Sequence, residues 1–470
     1  MKRNIIYSIL LTLVPTLCVA QSETLSLEQC YAMALDHNKE IEKAKMQEEQ
    51  LGFDIKSYKS NFYPRINLIA LDLYSTTKGE FTITGGHLPI YNYSAAAGQY
   101  VPNVTVNADG SYTLNQYADF PDQKMEYKLK NIFMGGLSVT QPIYMGGKIT
   151  TAYNMSLIGR DMAHLNVALT QDEVLVKTGE AYFLAVKAKE MIDVAKKYKN
   201  LLEELSRNVD NAVKHGLKTR NDKMKVQVKL NEADLNLTKA ENAYRLACMN
   251  LCHYIGRSLS SNIDVESKNF SSETFYKNPS RDINITNRKE YELLNKKVEL
   301  AEKQIALTRS DYLPNVVLMG GVSYANGAEL AGKKLIDGTS ASVAIGVKIP
   351  LVTFGENTNK IRSAKAKQVI ARLEQEDLNE KMMLEQQQAL NNLEEAEKIV
   401  TFTTSALSQA EENMRLSKQQ YEVGTETLSD YLEAQALWQN SYASKVDAIC
   451  QYNLAWIKYQ KSKGELDVRN

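Results

Sequence analysis

The stretch "VGTETLSD", residues 423–430, interrupts a long run of helix-forming residues. From Glu356 to Lys463 the chain contains no proline, and Gly424 is its single glycine. Glycine accepts the left-handed dihedral angles of a helix C-terminal cap, and threonine is a frequent N-terminal cap. The stretch therefore predicts that a long helix ends at Gly424 and that Thr427 caps a helix running back.

A similar segment, "HGLKTRND", occurs earlier at residues 215–222. It keeps the glycine, threonine and aspartate positions but has different charged residues between them. Its glycine, Gly216, precedes Gly424 by 208 residues, and this offset aligns other landmarks. A fixed offset between similar segments indicates two tandem structural repeats. The aligned pairs include Pro142 with Pro350, Gly147 with Gly355, Asp222 with Asp430, and Gly256 with Gly464.

Upstream, the two copies differ in length. Pro64 in "FYPRINL" matches Pro314 in "YLPNVVL", and the first copy carries roughly 40 more residues before its next landmark proline. Because proline disfavours helix in the residue before it, a helix is expected to end at each of these prolines. Each copy then consists of an extended segment, a loop, a second extended segment, a very long helix and a returning helix.

Both long helices carry a heptad pattern, which is typical of a seam between packed helices. About 68 residues per helix predict a length of roughly 100 Å. The seam of the first copy is weakened by Lys199 and Ser206. The seam of the second copy consists of Ala389, Leu393, Ala396, Val400, Thr403, Leu407, Ala410 and Met414.

The extended segments alternate with period two, as strands with one apolar face do. In "ASVAIGVKI", residues 341–349, the apolar residues Val343, Ile345 and Val347 alternate with smaller or polar ones. The repeat aligns the last two with Leu137 and Val139, so the same face is apolar in both copies. If the strands cross a membrane, we expect these five residues to face lipid.

Strands of about ten residues can cross a bilayer when tilted. Four strands cannot close a barrel, and an open edge in lipid leaves backbone groups unpaired. If these strands span a membrane, several chains must therefore share one barrel. A small soluble sheet packed on the helices is the alternative.

Composition narrows the class of protein. The 470 residues have a net charge of zero, which argues against a nucleic-acid-binding protein.

A signal peptide cleaved after Ala20 is predicted by the basic residues Lys2 and Arg3, the apolar stretch that follows them and the small residues at its end. Four cysteines remain, too few for a disulfide scaffold. Motifs for a catalytic serine, zinc or nucleotide are missing, so we expect no enzyme, cofactor or metal ion.

This order of features resembles the TolC family of outer-membrane efflux proteins over essentially the whole mature chain. The resemblance depends on "QQYEVGTETLSDYLEAQALW", residues 419–438, on the two proline–strand–glycine units and on the equal helical spans. It implies a mixed α and β membrane protein of two tandem repeats in the outer membrane of a Gram-negative bacterium. Three chains would form a twelve-stranded β-barrel, four strands from each, above a long periplasmic helical barrel.

The resemblance also implies a division of the chain. It predicts long helices at 148–214 and 356–422 and shorter ones at about 25–62, 219–256, 286–312 and 427–463. We expect a signal peptide at 1–20, a first repeat at 21–256, an equatorial linker at 257–285, a second repeat at 286–464 and a tail at 465–470. The first repeat would contain an external loop at 75–130 and a helical turn at 215–218. The second would contain a β-hairpin at 315–352, with its loop at about 325–340, and a turn at 423–426.

The resemblance places a gate at the two glycine turns. In the family, the closed tip is held by an aspartate that reaches a tyrosine and an arginine of the neighbouring hairpin. The aspartate maps to Asp222 and the tyrosine to Tyr421, whereas Glu426 occupies the arginine position and reverses its charge. The candidates for a replacement cation on the other turn are Lys218 and Arg220.

Asp430 and Glu433 share a helix face and map to the acidic constriction of the family. Three chains would surround a narrow pore with their carboxylates, which favour cations. The first repeat keeps Asp222 but has Lys225 in place of the glutamate, so the two hairpins are not interchangeable. A solvated helix surface without a gating role is the alternative.

The implied function is a passive exit channel of a tripartite efflux or secretion system. Its expected partners are two further copies of the chain, outer-membrane lipid, a periplasmic adaptor (membrane fusion protein) and an inner-membrane transporter such as an RND or ABC pump, which supplies the energy. A periplasmic coiled-coil tether or adaptor without a pore is the alternative, but it does not explain the two strand pairs. Drug, metal, peptide and protein export share this architecture, so the substrate stays open.

Overall fold

The structure, a computed structural model, describes residues 23–267 and 279–466. The expected signal peptide, part of the equatorial linker and the last four residues of the tail lie outside the described residues. The helices are α1 (Leu27–His37), α2 (Lys39–Ser60), α3 (Lys148–Lys214), α4 (Arg220–Tyr254), α5 (Lys289–Ser310), α6 (Glu356–Glu422) and α7 (Leu428–Lys463).

Thirteen strands accompany these helices in the described ranges. The long ones are β2 (Arg65–Leu73), β10 (Gln123–Met145), β12 (Asn315–Leu330) and β13 (Lys333–Lys348). The others are β1 (Glu23–Leu25), β3 (Thr77–Ile83), β4 (Gly86–Pro89), β5 (Tyr91–Ser94), β6 (Gln99–Pro102), β7 (Val104–Val106), β8 (Tyr112–Leu114), β9 (Tyr117–Phe120) and β11 (Ile263–Val265).

The chain folds into two compact units. One consists of Lys56–Tyr153 and Ile305–Ile361 and contains the long strands; the other consists of the remaining described residues and is mainly helical. Each repeat contributes to both units, so the units cut across the tandem repeats. The two repeats follow one another along the sequence, whereas each compact unit combines segments of both repeats.

The helical unit is organised around α3 and α6, which have 67 residues each and the bounds expected from the sequence. At 1.5 Å per residue each is about 100 Å long. The heptad seam of α6 is confirmed, because Leu393, Ala396, Val400, Leu407 and Ala410 are buried in it. Across the described residues, no helix is both long enough and apolar enough to span a bilayer.

The expectation of one helix over 25–62 is wrong, since Asn38 separates α1 from α2. Its backbone is extended, with φ −73° and ψ 129°. The side-chain amide donates to the Tyr254 carbonyl at 2.9 Å, and the side-chain oxygen accepts from the Glu40 N–H at 2.8 Å. The buried Asn38 side chain thus pairs with a carbonyl of α4 and with an N–H in the first turn of α2. These two hydrogen bonds stabilise the bend.

The strand unit contains one antiparallel sheet in the order β13-β12-β10-β2, and β3 extends the β2 edge along β10. The expected loop at 325–340 is wrong. The two strands continue to a turn at Ala331 and Gly332, both with positive φ (50° and 76°), which suits a tight hairpin. Within the described chain, the outer edges of β2 and β13 pair with no further strand.

The segment 75–130, expected to be an external loop, is instead largely paired into strands. β3 pairs with β10, and β4 pairs with β9 above it. Two small hairpins follow, β5 with β6 and β7 with β8. Valine, threonine and tyrosine favour strands, and they are frequent between the Gly, Asn and Pro residues of this segment.

Candidate functional site: the hairpin turns and the strand faces

The turn between α3 and α4 is built by two caps in sequence. Gly216 has φ +73°, the Leu217 N–H donates to the Ala212 carbonyl at 2.8 Å, and α3 ends there. Thr219 then caps α4: its side chain accepts from the Asp222 N–H, and the Asp222 carboxylate accepts from the Thr219 N–H and hydroxyl at 3.1 and 2.8 Å. The expected turn is therefore present.

The turn between α6 and α7 repeats this construction 208 residues later. Gly424 has φ +81°, and the Thr425 N–H donates to the Gln420 carbonyl at 2.9 Å. Thr427 caps α7 through a reciprocal pair with Asp430, whose carboxylate accepts from the threonine hydroxyl at 2.7 Å. The predicted cap is confirmed, and both aspartates of the candidate gate also hold a helix start.

Hydrogen bonds from Thr219 lower the pKa of Asp222 below its ordinary value, so its carboxylate stays charged. Burial, and then the charge of Asp222, raises the pKa of Tyr421. In the described parts of the chain, however, no hydrogen bond joins these two side chains. The hydrogen bond between the aspartate and the tyrosine that is expected from the family is therefore not made within one chain.

A cation does reach Tyr421 from the other turn. The Lys218 ammonium lies 4.5 Å from the centre of the tyrosine ring, which is within the range of a cation–π interaction. On its α7 side the same ring stacks on Tyr431, with centroids 5.4 Å apart and an interplanar angle of 18°. Lys218, Tyr421 and Tyr431 thus connect the two hairpins of one chain; we call these three residues the tip stack.

The side chain of Glu426, at the family's arginine position, contacts a residue of its own α6–α7 hairpin. One carboxylate oxygen accepts from the Ser417 hydroxyl at 2.7 Å. The other oxygen, Oε2, is buried and accepts no hydrogen bond from any described residue. A buried carboxylate oxygen without a donor is costly, so a water molecule or a donor from another chain would stabilise this half-buried residue.

Arg220, the other candidate cation, is exposed. Among residues 23–267 and 279–466 it forms no ion pair. Of the two candidate cations, the structure thus brings only Lys218 to Tyr421 within one chain.

Glu433 lies beside a hollow of 560 Å³ between the first turns of α4 and α7. Lys225 and Lys229 line the same hollow, and the Lys225 ammonium lies 3.4 Å from the Ser429 hydroxyl. The hollow thus has basic groups on its α4 side and Glu433 on its α7 side. Asp430 and Glu433 are exposed, as a constriction requires, but Lys225 places a positive charge near them.

The two tips also differ in total charge. Residues 211–229 contain six basic side chains and one acidic, a net charge of +5 with histidine neutral. The equivalent residues 419–437 contain four acidic side chains and no basic one, a net charge of −4. In a ring built from several copies, the net charge of the tips would therefore alternate between positive and negative from one hairpin to the next.

The antiparallel sheet has two unlike faces. On one face Leu137 pairs across with Leu68 and Val322, while Val343 and Ile345 continue it on β13. These side chains are between 50% and 80% exposed in the single chain. Besides these five, Ile66, Val139, Leu318 and Val347 belong to this aliphatic face.

Sequence reasoning missed Tyr431 and Ser417. Tyr431 is adjacent to a candidate gate residue and ten residues from Tyr421 across the turn, so the pairing of two aromatics around a hairpin was the available signal. Ser417 has no motif, and only the folded hairpin shows that it meets Glu426.

Long helical hairpins and a β-sheet with an aliphatic face and two open edges define the class of membrane channel proteins that combine strands and helices. The chain belongs to the outer membrane efflux protein family, whose model matches residues 90–257 and 287–465. It is therefore an outer-membrane efflux channel protein of a Gram-negative bacterium, with a periplasmic helical part, and the expected TolC-like fold is confirmed.

Individual relatives are distant but match most of the chain. The outer membrane protein TolC of Vibrio cholerae is 20% identical over 365 residues, which cover 77% of this chain and 82% of that protein. The Campylobacter jejuni CmeC outer membrane channel has a TM-score of 0.69 at 17% identity and covers 94% of this chain and 86% of that one. The open-state Neisseria gonorrhoeae MtrE outer membrane channel has a TM-score of 0.68 at 16% identity, with coverages of 94% and 89%.

Proposed function

We propose that three copies of the chain form the exit conduit, each giving β2, β10, β12 and β13 to one closed twelve-stranded barrel. The observation that supports this most strongly is the sheet with an aliphatic face and two unpaired edges. In lipid, every backbone donor and acceptor needs a partner, so β13 of one copy must pair with β2 of the next. These two edge strands run in opposite directions, and closure therefore gives an antiparallel barrel throughout.

The aliphatic face then contacts lipid. Leu137, Val139, Val343, Ile345 and Val347, the residues expected to face lipid, all lie on it. Transferring this apolar surface from water to the bilayer core is favourable by roughly 25 cal/mol per Å².

We further propose that the helical tips gate the conduit on the periplasmic side. Asp430 and Glu433 would form the acidic constriction, with Asp222 on the alternate hairpins. Lys218 on Tyr421 supports a latch in which a lysine replaces the family's arginine. Between subunits, Arg220 is a candidate donor to the unpaired Oε2 of Glu426.

Energy and substrate delivery would come from a periplasmic adaptor and an inner-membrane transporter of the RND or ABC type. The absence of a nucleotide-binding motif from the sequence supports this division of labour. Family membership supports the partners in general, and the alternating charge of the tips supports contacts that differ between the two hairpins.

Single-channel recording of the purified protein in a planar bilayer tests this function. We expect discrete current steps with a preference for cations, because carboxylates line the constriction. Glu433→Gln should reduce the reversal potential in a potassium chloride gradient. Glu376→Gln, an exposed glutamate on α6 that lies 46 residues before the tip, is the matched control and should leave it unchanged.

A tether without a pore would give a different result. It would leave the membrane without detergent and would carry no current in the bilayer. Discrete currents that prefer anions would reject the acidic constriction but not the conduit.

A further inference from the structure

The second face of the sheet contains a hollow of 460 Å³. Four large apolar side chains of this face line it, and they are exposed in the chain: Ile69 by 63%, Leu71 by 55%, Met134 by 51% and Met319 by 42%. Leu137, Val322 and Tyr324, whose side chains belong to the aliphatic face by strand alternation, also border the hollow. No Asp, Glu, Lys, Arg or His is among the residues that line it. On β2 and β10 these side chains alternate with those of the aliphatic face, so the two sets point to opposite sides.

Small residues on the neighbouring strands create this concavity. Gly136, Gly321, Ser342 and Ala344 lie among the four large side chains. The terminal methyl of Met319 lies 3.3 Å from the position that a Cβ atom on Gly346 would occupy, so a larger residue there would push the methionine away. The small residues of β10, β12 and β13 therefore help to form the hollow.

An apolar lining is unusual for this face under the proposed function. With the aliphatic face toward lipid, the hollow faces the lumen, and the inner walls of water-filled barrels are polar. Apolar surface held against water is unfavourable, and an apolar solute that covers it removes that cost. The volume lies in the range of about 300–1,000 Å³ that is typical of small-molecule sites.

We propose that this hollow binds the apolar part of the solutes that leave through the channel. The substrate class is then amphiphilic small molecules, whose uncharged hydrocarbon portion lies against Leu71 and Met319 while their charged portion stays in the aqueous lumen. This inference rests on the proposed function, because only closure of the barrel by three copies makes the face a lumen. The trimer would contain three such hollows.

The probes are two cations of equal charge and different apolar surface, tetramethylammonium and tetrabutylammonium, added from the barrel side in single-channel recording. We expect tetrabutylammonium to block the current with dwell times roughly tenfold longer, since burying a few methylenes changes affinity by about that factor. In the double variant Leu71→Gln with Met319→Gln the two dwell times should become similar. Leu73→Gln, on the same strand and face but outside the hollow, is the matched control and should keep the difference.

Equal dwell times in the natural protein, or a difference that persists in the double variant, would overturn the inference while the current itself still supports the conduit.

Calorimetric titration of tetrabutylammonium into the protein in amphipol measures binding directly and does not require a conducting channel. Binding that the double variant loses supports the hollow even if no channel conducts. No binding to the natural protein overturns it. Native mass spectrometry of both variants checks that the trimer is intact.

Discussion

At the scale of single residues, the tip stack shows how a reversed charge is accommodated. Glu426 stands where the family has an arginine, yet a cation still reaches Tyr421, because Lys218 approaches from the other hairpin. The sequence alone suggested two replacement cations, and the contact between a side chain and a ring 203 residues away required the folded chain. Glu426 meanwhile lies against Ser417, which no pattern in the sequence indicates.

Removing the lysine cation should loosen the closed tip. A cation–π pair at an exposed site contributes about 0.5–1 kcal/mol, and in the proposed trimer three copies would act on one gate. We expect Lys218→Met to increase the time that single channels spend in the conducting state. Lys218→Arg should preserve the closed state because the guanidinium also stacks on tyrosine, so it serves as the control. An open probability that Lys218→Met leaves unchanged would show that the tip stack does not latch the gate.

At the scale of secondary-structure elements, most of the architecture follows from local signals. The two 67-residue helices could be predicted because proline, glycine and heptad spacing act within a few turns. The break at Asn38 could not, because asparagine is tolerated inside helices and its partner, the Tyr254 carbonyl, lies 216 residues away. The extension of β12 and β13 was missed because Asn326, Gly327 and Gly338 are typical of loops, and cross-strand pairing overrides that preference.

Replacing the buried asparagine should weaken the junction of α1, α2 and α4. Asn38→Ala removes the cap of α2 and leaves the buried Tyr254 carbonyl without its donor, which should cost about 1–3 kcal/mol. Chemical denaturation followed by circular dichroism measures the change. Asn208→Ala, an exposed asparagine within α3, should be neutral or slightly stabilising, since alanine favours helix. Equal stability of the Asn38→Ala variant and the natural protein would contradict the role given to this break.

At the scale of the whole molecule, the proposed channel depends on what completes the sheet. One chain supplies four long strands and leaves the outer edges of β2 and β13 unpaired. Exposed edges of this length invite pairing with another strand, and lipid makes that pairing obligatory. Under the proposed assembly, pairing between three copies would close this open sheet into the wall of a pore.

Disulfide cross-linking in intact outer membranes is the measurement that tests this closure most directly. Leu68→Cys on β2 is combined in turn with Val343→Cys, Ile345→Cys or Val347→Cys on β13. The native thiols should not interfere, because burial raises the pKa of Cys30 and Cys450 to about 12 and also raises the pKa of Cys248 and Cys252. Leu68→Cys with Val322→Cys on β12 is the control, since these strands are not neighbours within or between copies.

We predict that at least one β2–β13 pair gives a covalent species of three chains and nothing larger, while the control pair stays monomeric on denaturing gels. Chains that remain monomeric in every pair, or a ladder that continues beyond three, would contradict a barrel closed by three copies.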